Sequence, residues 1–429
     1  MAFANFVQFR NVPKRFLHIR VFYGILTLER EGSMISLTEG MRYLVDERKI
    51  ISGVSVACGN AEKAEKRTYG RAQDVLFDGA RFVPAPRPLA GNAIFDLASV
   101  TKLFTCLSVL MLMEAGRLSL DDPIEKYEPR FAGMRGTKLS AILSFHAPAK
   151  TAVRIDAQDT RENALSALFT LSPAQPEESR YYTDMGALAL KYVVEAAAGQ
   201  PYYAFLKENI LSPLGMRETL AHVPEALLPR AVCYNYERRI VGRKYLLDLD
   251  CPPGTPHDPK ARILSRDGSD LCGHAGLFST MDDMILLAKG LLAGKLLSRN
   301  TLLTIGLNRT SRRLPDGHYS QCLGYLCFSK HREQVYSEVP ARFSERTIAE
   351  NGFTGNHFSV DPLRNEFMII LANKIHNRIT MAAPHSDPDD PYRTLPWDDG
   401  HEYVVSQNYT YLKDTYLKEP IAALLDGLE

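Results

Sequence analysis

The sequence predicts an α+β protein, in which an antiparallel sheet is flanked by helices and the chain carries an inserted, mostly helical subdomain. Two observations lead to this fold class. Patterns typical of β-strands occur near both ends of the chain, at 51–70 and at 353–373. Between them, apolar residues at helical spacing dominate residues 136–265. Both chain ends are therefore expected to contribute strands to one sheet.

The length of 429 residues favours more than one structural unit. We predict an α/β subdomain, expected to carry the site, formed by residues 34–135 and 266–429, with the helical insertion at 136–265. Residues 1–33 are predicted to be an N-terminal extension, either loose or a misassigned start, because Met34 begins a pattern like that of an ordinary domain.

Helical spacing and turn residues place the elements in order. Helices are predicted at 36–48 with Thr38 as the cap, 99–114, 124–127, 162–170, 185–198, 201–210, 282–292 and 411–426. Strands are predicted at 51–57, 67–70, 353–360 and 366–373. The proline-rich segments 76–92 and 383–400 are predicted to be irregular, the second as a surface loop or a lid.

Composition excludes several classes of protein. The 51 basic and 50 acidic residues nearly cancel, which argues against a nucleic-acid partner. No run approaches ~18 apolar residues, so no membrane span is expected. With 45% apolar and 24% charged residues, the chain has the composition of a soluble globular protein that acts as an enzyme or a binding protein. The oligomeric state is left open.

The seven cysteines show no metal or disulfide framework and are expected to be small buried side chains. Their odd count and the lack of a clear leader peptide favour a cytoplasmic location. No metal is expected, because the eleven histidines show no ligand spacing. No cofactor is expected either, because dinucleotide and P-loop motifs are absent, as are the HExxH and GxSxG motifs.

One positive signal is the S-x-x-K pattern of Ser99 and Lys102 at the head of the helix ending near residue 114. Residues three apart share a helical face, so Lys102 can reach the Ser99 hydroxyl and activate it as a nucleophile. The positive end of the helix dipole and burial both disfavour an ammonium ion there, which makes a neutral amine plausible. The alternative is a chance match in which Ser99 caps the helix.

The neighbouring segments resemble a known family. FDLASVTK at 95–102 is followed by MEAGRLSLDDP at 113–123, and together they are similar to the nucleophile motif and GxLxLDDP stretch of the serine β-lactamase-like superfamily. That superfamily includes class C β-lactamases, penicillin-binding DD-peptidases, esterases and acyltransferases. Further matches follow in family order: YTDMG at 182–186, CGHAGLFST at 272–280, GFTG at 352–355 and LANKIH at 371–376. The resemblance covers about residues 37–378.

The resemblance implies the catalytic roles. Ser99 would be the nucleophile, Lys102 its base partner, and Tyr182 a second proton handler, as a phenolate or as a relay with Lys102. Tyr181 is a rival for that last role. Asp184 stands where the family has Asn and is expected to orient neighbouring groups or bind substrate; it could also cap the following helix.

The backbone also has an implied role in the site. The N–H groups of Ser99 and Phe353 are expected to form an oxyanion hole. His146, His274 and His376 are expected to be packing or network residues. The segment LSFHAPA at 143–149 lacks the small polar turn of relatives, which leaves the shape of the pocket open.

The third motif departs from the family. Relatives have Lys-Thr-Gly or His-Thr-Gly on the strand that lines the site, whereas this chain has Glu350, Asn351 and Gly352, all three expected to contact substrate. A carboxylate facing Ser99 would repel an acidic substrate by roughly a few kcal/mol at low effective dielectric. Glu350 could instead pair with Lys102, favour a neutral or cationic substrate, or turn outward.

The sequence therefore predicts a serine hydrolase that forms an acyl-enzyme on an ester or amide, of esterase, peptidase or acyltransferase type. The expected partner is a small-molecule or peptide substrate. Two alternatives stay open: a catalytically inactive binding or sensor module, and a true β-lactamase or DD-carboxypeptidase.

Overall fold

The structure is a computed structural model that describes residues 16–22, 25–30, 35–175, 181–241, 244–265, 270–309, 313–314, 317–319, 321–334, 336–383, 394–397 and 399–427. Its strands are β1 Phe16–Phe22, β2 Ile25–Arg30, β3 Gly53–Gly59, β4 Ala64–Phe77, β5 Phe82–Pro88, β6 Phe95–Asp96, β7 Ala149–Lys150, β8 Ser172–Pro173, β9 Arg238–Val241, β10 Lys244–Leu247, β11 Phe278–Ser279, β12 Ile348–Asn351, β13 His357–Asp361, β14 Glu366–Ala372, β15 Ile379–Ala383, β16 Thr394–Pro396 and β17 Glu402–Val404.

The α-helices are α1 Leu37–Arg42, α2 Thr101–Glu114, α3 Leu139–Leu143, α4 Arg161–Leu168, α5 Met185–Ala198, α6 Tyr202–Leu206, α7 Ser212–Leu214, α8 Pro259–Leu264, α9 Met281–Leu292, α10 Arg299–Ile305, α11 Tyr409–Lys413 and α12 Glu419–Asp426. Short 3₁₀ turns lie at Ala98–Val100, Ile124–Lys126, Ala132–Met134, Ile155–Ala157 and Glu225–Arg230, and π-helical turns at Tyr43–Glu47, Lys207–Leu211 and Asp414–Lys418. No helix among the described residues has both the length and the apolar character needed to cross a membrane.

The central sheet has six antiparallel strands in the order β12-β13-β14-β3-β4-β5, so strands from both chain ends meet at the β14–β3 pair. Helices α1 and α12 pack on one face of β3, where Val54 and Val56 are buried, and α9 packs on the other face. The predicted α+β class with an antiparallel sheet is confirmed. The predicted bounds of the two subdomains stay a prediction.

Two local predictions in the first hundred residues were wrong. The first helix is capped by Ser36, not Thr38, because Ser36 and Glu39 bond to each other's backbone in a capping box. Residues 82–88 form strand β5 in spite of three prolines. This strand lies at the edge of the sheet, where a missing N–H breaks no second ladder.

Three further segments differ from the predictions. Strand β13 begins at His357, because residues 352–356 form the turn that joins it to β12. Residues 394–396 pair with 402–404 as a short hairpin, while 384–393 of the predicted loop lie outside the described residues. Within the predicted N-terminal extension, β1 and β2 pair in antiparallel fashion. The seven cysteines are all buried, as expected.

The main core lies between α2 and α5, and one glycine controls how closely the chain approaches α5. A Cβ on Gly273 would lie 2.2 Å from the carbonyl oxygen of Ala187 and 3.0 Å from Cβ of Lys191. Only a residue without a side chain fits here. The next residue, His274, lends its carbonyl to the site described below.

We therefore expect Gly273→Ala to destabilise the fold by about 1–3 kcal/mol, because α5 must move to admit the methyl group. The midpoint of urea unfolding measures this. Gly91→Ala is the matched control, since nothing lies within 4 Å of the added Cβ. Equal midpoints for the two variants would contradict the packing described here.

Candidate active site

The Ser99 hydroxyl is held by a short turn between β6 and α2. Strand β6 pairs with β11, and Ser99 lies in the 3₁₀ turn that leads into α2. Ala98 has a φ of 47°, a left-handed conformation that costs roughly 1–2 kcal/mol for a residue with a Cβ. The Asp96 carboxylate accepts the Ala98 N–H at 2.8 Å and holds this conformation. The turn thus fixes Ser99 at the head of the helix.

Lys102 lies one turn further along and is completely buried. Its Nζ is 2.7 Å from Oγ of Ser99 and 2.8 Å from Oδ1 of Asp184, and it lies 3.4 Å from the carbonyl oxygen of His274. Three acceptors match the three N–H donors of an ammonium group. The sequence favoured a neutral amine here, whereas the structure surrounds Nζ with three acceptors, one of them the carboxylate of Asp184 from a distant part of the chain.

The ion pair continues away from Ser99 as a chain of charges. Asp184 also contacts Nζ of Lys260 at 3.1 Å, Lys260 contacts Asp258 at 3.2 Å, and Asp258 contacts Nε2 of His274 at 2.9 Å. Burial acts to raise the pKa of Asp184, but the charge of Lys102, with that of His274 and Lys260, outweighs it and holds the pKa well below its ordinary value.

Asp258, the second carboxylate of this ion-pair network, also has a lowered pKa. Although burial acts against it, His274 and Lys260 lower the pKa of Asp258. Asp184 therefore orients Lys102 rather than capping α5, since its side chain makes no hydrogen bond to the backbone of that helix. His274 is the network residue that the sequence predicted.

Asp184, Asp258 and His274 also meet the distance requirement for holding a metal ion, since their ligand atoms lie within 4.8 Å of one another. Two lysine ammonium groups already lie against the same carboxylates, however. A divalent cation would have to displace them. The donor set suits an ion-pair network better than a metal centre.

Tyr182 lies against Lys102, with Nζ 4.9 Å from the centre of its ring. Phe145 and Phe328 stack on its two faces, each with a centroid distance of 5.2 Å. The phenol donates a hydrogen bond to Oε1 of Glu350 at 2.8 Å. Burial, followed by the charges of Glu350 and Asp184, raises the pKa of Tyr182 well above its ordinary value. Burial and the neighbouring carboxylates favour the phenol, so of the two expected roles the relay fits these surroundings better than the phenolate.

The structure also decides between the two neighbouring tyrosines. The side-chain oxygen of Gln321 accepts the backbone N–H groups of both Tyr181 and Tyr182, at 3.2 and 3.3 Å. It is the Tyr182 ring that is directed toward Lys102. The hydroxyl of Ser99 lies beside the same phenol, and hydrogen bonding from it acts to lower the pKa of Tyr182.

Glu350 faces the site and is completely buried, so the suggestion that it turns outward was wrong. Its Oε1 accepts bonds from Tyr182 and, at 3.2 Å, from the N–H of Asn351, while Oε2 is buried without a partner among the described residues. Burial raises the pKa of Glu350 to about 8, although the charge of Lys102 acts to lower it. The sequence suggested that Glu350 pairs with Lys102, but in the structure Lys102 pairs with Asp184.

Asn351 and Gly352 have other surroundings than predicted. Because successive side chains of a strand point to opposite faces, Asn351 points away from Glu350. Its Oδ1 accepts bonds from Nζ of Lys413 at 2.9 Å and from Nδ1 of His357 at 2.8 Å. Asn351 thus belongs to a buried network rather than to the substrate surface. Gly352 donates its N–H to the carbonyl of Asn356.

The turn after β12 is tied directly to the turn that carries Ser99. The carbonyl oxygen of Asp96 accepts bonds from Oγ1 of Thr354 at 3.0 Å and from Nδ2 of Asn356 at 2.8 Å. The backbone N–H groups of Ser99 and Phe353 have no protein acceptor within the described part of the chain. An oxyanion hole requires two such free donors, and the hole formed by Ser99 and Phe353 stays a prediction.

The ring of Phe353 is 40% exposed and forms part of the rim. It stacks on the His257 imidazole at 5.6 Å, and Nζ of the buried Lys374 lies 4.5 Å from the ring centre. Burial lowers the pKa of Lys374 to about 8. Lys374 is thus a buried lysine in contact with Phe353, and the sequence did not identify it as a site residue.

Other residues were also missed. Lys260, Asp258 and Gln321 carry no local signal, because each acts across a large separation in sequence. Phe145 lies in the segment whose departure from relatives left the pocket shape open, and it forms one wall of the Tyr182 stack. The neighbouring His146 is exposed and bonds to Oγ of Ser144 at 2.9 Å.

The buried carboxylate of Glu350 makes a prediction for stability. Its pKa rises from 4.5 in the unfolded chain to about 8 in the folded one. Protonated Glu350 therefore makes its full contribution to the free energy of unfolding below about pH 4.5. That contribution is lost as the pH rises through about 8. We expect Glu350→Gln to match the wild type at pH 5 and to exceed it in unfolding free energy at pH 9 by roughly 2 kcal/mol or more.

Urea unfolding at the two pH values measures this difference. Glu62→Gln, at an exposed position, serves as the control and should show none. A Glu350→Gln variant that is less stable than the wild type at pH 9 would contradict the burial of an unpaired carboxylate oxygen.

Comparison with known proteins identifies the family to which this chain is similar. The family model described as Beta-lactamase matches residues 41–384. A protein of Escherichia coli K12 with the provisional name D-alanyl-D-alanine carboxypeptidase is 27% identical over 381 residues, which cover 81% of this chain and 83% of that protein. A similar protein of Salmonella gallinarum is 26% identical over 391 residues, covering 81% of this chain and 84% of its own.

Solved structures share the fold. Simvastatin synthase (LovD) from Aspergillus terreus aligns with a TM-score of 0.63 at 17% identity, over 90% of this chain and 97% of that one. EstCE1, described as a hydrolase with promiscuous acyltransferase activity, aligns with a TM-score of 0.59 at 17% identity, over 89% and 97%. Together with the family match, these likenesses confirm the resemblance first seen around Ser99. The chain belongs to the Beta-lactamase family, and thus to the serine β-lactamase-like superfamily of hydrolases and acyltransferases.

Proposed function

We propose that this chain is an active serine hydrolase that works through an acyl-enzyme, with Ser99 as the nucleophile and Lys102 and Tyr182 beside it. One observation carries the proposal: Oγ of Ser99 lies 2.7 Å from Nζ of a lysine that is completely buried and paired with a carboxylate. A buried ammonium at this distance stabilises the developing alkoxide of Ser99. A binding module would have no need of such a costly arrangement.

The reaction follows from the positions of these groups. Oγ of Ser99 attacks the carbonyl carbon of an ester or amide, and the oxyanion receives the N–H groups of Ser99 and Phe353. The alcohol or amine leaves with a proton handled through Tyr182, and water or another nucleophile then releases the acyl group. The first case makes the chain a hydrolase, the second an acyltransferase.

We propose further that the preferred substrate has no carboxylate near its scissile bond. Glu350 and Asp184 both lie near Ser99, whereas Lys102 is the one cation of the described residues that contacts it. Above about pH 8, where Glu350 is ionised, it repels a substrate acid group by roughly a few kcal/mol. This argues for neutral or cationic esters and amides over penicillins or peptides that end in D-alanine.

The relatives named as D-alanyl-D-alanine carboxypeptidases support a second candidate, a carboxypeptidase of that kind. It would require a cation for the substrate carboxylate, and Lys374 beside Phe353 is the residue in position for it. The two candidates differ in which donors acylate Ser99.

Acylation of Ser99 can be tested directly. Intact-protein mass spectrometry after incubation with p-nitrophenyl butyrate should show a one-acyl mass increase in the wild type that is absent from Ser99→Ala. Ser108→Ala is the matched control, since its hydroxyl bonds only to the Phe104 carbonyl of the same helix and should leave the adduct intact. An adduct formed by benzylpenicillin and not by the ester would favour the second candidate, and no adduct with any donor would favour a binding module.

The preference for uncharged donors is tested with a matched pair of substrates, p-nitrophenyl methyl succinate and p-nitrophenyl hemisuccinate, which differ by one carboxylate. At pH 9, where Glu350 is ionised, we expect kcat/KM for the methyl ester to be at least about tenfold higher, since about 1.4 kcal/mol corresponds to a factor of ten. Glu350→Gln should reduce that ratio toward one, whereas Lys374→Met should leave it unchanged or raise it. A wild-type preference for the acid would contradict the proposed specificity.

A further inference from the structure

Lys102, Tyr182 and Glu350 together indicate which group accepts the proton of the Ser99 hydroxyl. In the resting site Lys102 uses its donors on Ser99, Asp184 and the His274 carbonyl. An ammonium group in this position has no lone pair with which to accept a proton. Lys102 therefore stabilises the alkoxide electrostatically, and the base must lie on the other side of Ser99.

Tyr182 is on that side, and the direction of its hydrogen bonds is fixed. Its O–H donates to Oε1 of Glu350 at 2.8 Å, which leaves a lone pair of the phenol oxygen for the hydroxyl of Ser99. The stacked rings of Phe145 and Phe328 hold the phenol in this orientation. The Ser99 hydroxyl thus donates to Tyr182, and Tyr182 donates to Glu350.

Glu350 is suited to receive a proton. It is completely buried and its Oε2 has no partner among the described residues, so the carboxylate is poorly solvated and gains by becoming neutral. The charged or titratable groups that face it are Lys102 from α2, Tyr182, Glu338 and Cys327. Lys102 favours the ionised form, whereas Glu338 and burial favour the protonated form, and the balance brings the pKa of Glu350 to about 8.

We infer that Glu350 is the final proton acceptor of the acylation step, acting through Tyr182, which passes the Ser99 proton on to it. This rests on the proposed function and adds the identity of the base. As Oγ of Ser99 bonds to the carbonyl carbon, its proton moves to the oxygen of Tyr182 and the proton of Tyr182 moves to Oε1 of Glu350. The carbonyl π electrons move to the oxyanion.

When the tetrahedral intermediate collapses, the bond from carbon to the leaving oxygen breaks and that oxygen takes a proton from Tyr182. Tyr182 recovers its proton from Glu350, which becomes a carboxylate again. Attack of water on the acyl-enzyme repeats the same transfers. Atoms and charge balance without any further reactant, and Lys102 keeps its three protons throughout.

The pH dependence of kcat/KM for p-nitrophenyl butyrate tests this inference, with the rate of Ser99→Ala subtracted at each pH. For the wild type we expect a rise of about tenfold per pH unit from pH 6 that levels off above about pH 8. For Glu350→Gln we expect no such rise, so that the variant matches the wild type near pH 6 and falls short of it by about 100-fold at pH 9. A merely structural role of Glu350 would lower the rate equally at all pH values.

Two more variants strengthen the test. Glu350→Asp keeps a carboxylate and should keep the alkaline rise at a reduced rate. Tyr182→Phe interrupts the same line, so the double variant with Glu350→Gln should be no slower than the slower single variant. Thermal unfolding at pH 6 verifies that each variant is folded before its rate is compared.

The outcomes separate this inference from the proposed function. If the wild type turns over through Ser99 but Glu350→Gln keeps the alkaline rise within about threefold of its rate, the base is another group and the inference is wrong while the proposed function stands. If the wild type shows no turnover that depends on Ser99, the proposed function fails and the inference falls with it.

Discussion

The buried ammonium of Lys102 is the constraint on which the site depends. A charge without exposure to water must be matched by acceptors on every side. Here they come from three parts of the chain: Ser99 on the same helix, Asp184 at the start of α5, and the His274 carbonyl of the segment before β11. These parts can therefore meet in only one relative position. The contacts that surround Lys102 therefore also fix the position of Ser99, the proposed nucleophile.

Asp96 connects two turns of the site through hydrogen bonds rather than through an ion pair. Its carboxylate holds the turn before Ser99 and accepts the His257 N–H at 2.7 Å, while its carbonyl holds Thr354 and Asn356 beyond β12. Burial raises the pKa of Asp96. Asp96 thus links the turn that carries Ser99 to the turn that carries Phe353, the proposed second oxyanion donor. The spacing between the two donors is set by the backbone rather than by flexible side chains.

The parts of this arrangement that could be predicted from sequence are those with a local or motif-level signal. Ser99 and Lys102 are three residues apart on one helix, and Tyr182 stands in a recognisable motif before another. The β14–β3 pairing followed from strand patterns at both chain ends. The predictions that failed depend on contacts between residues that are distant in sequence. Whether Glu350 faces the site depends on the register of β12, which no local pattern reveals.

The protonation states were missed for the same reason. A helix start and burial were expected to favour a neutral Lys102, while the family resemblance offered a phenolate as one of two roles for Tyr182. In the structure Asp184 lies against Lys102 and Glu350 against Tyr182, and neither carboxylate is adjacent in sequence to the group that it affects. The three prolines of β5 misled in a different way, since a strand at the sheet edge tolerates a residue that an interior strand would reject.

The left-handed backbone of Ala98 has a consequence for how the protein can change over evolutionary time. Glycine at position 98 would relieve roughly 1–2 kcal/mol of conformational strain but would add roughly 0.5–1 kcal/mol of unfolded-chain entropy, so the exchange is nearly neutral for stability. The exchange would, however, reduce the order of the backbone, because glycine permits many conformations immediately before Ser99. Alanine at this position trades a small amount of stability for a hydroxyl that is already in place before any substrate arrives.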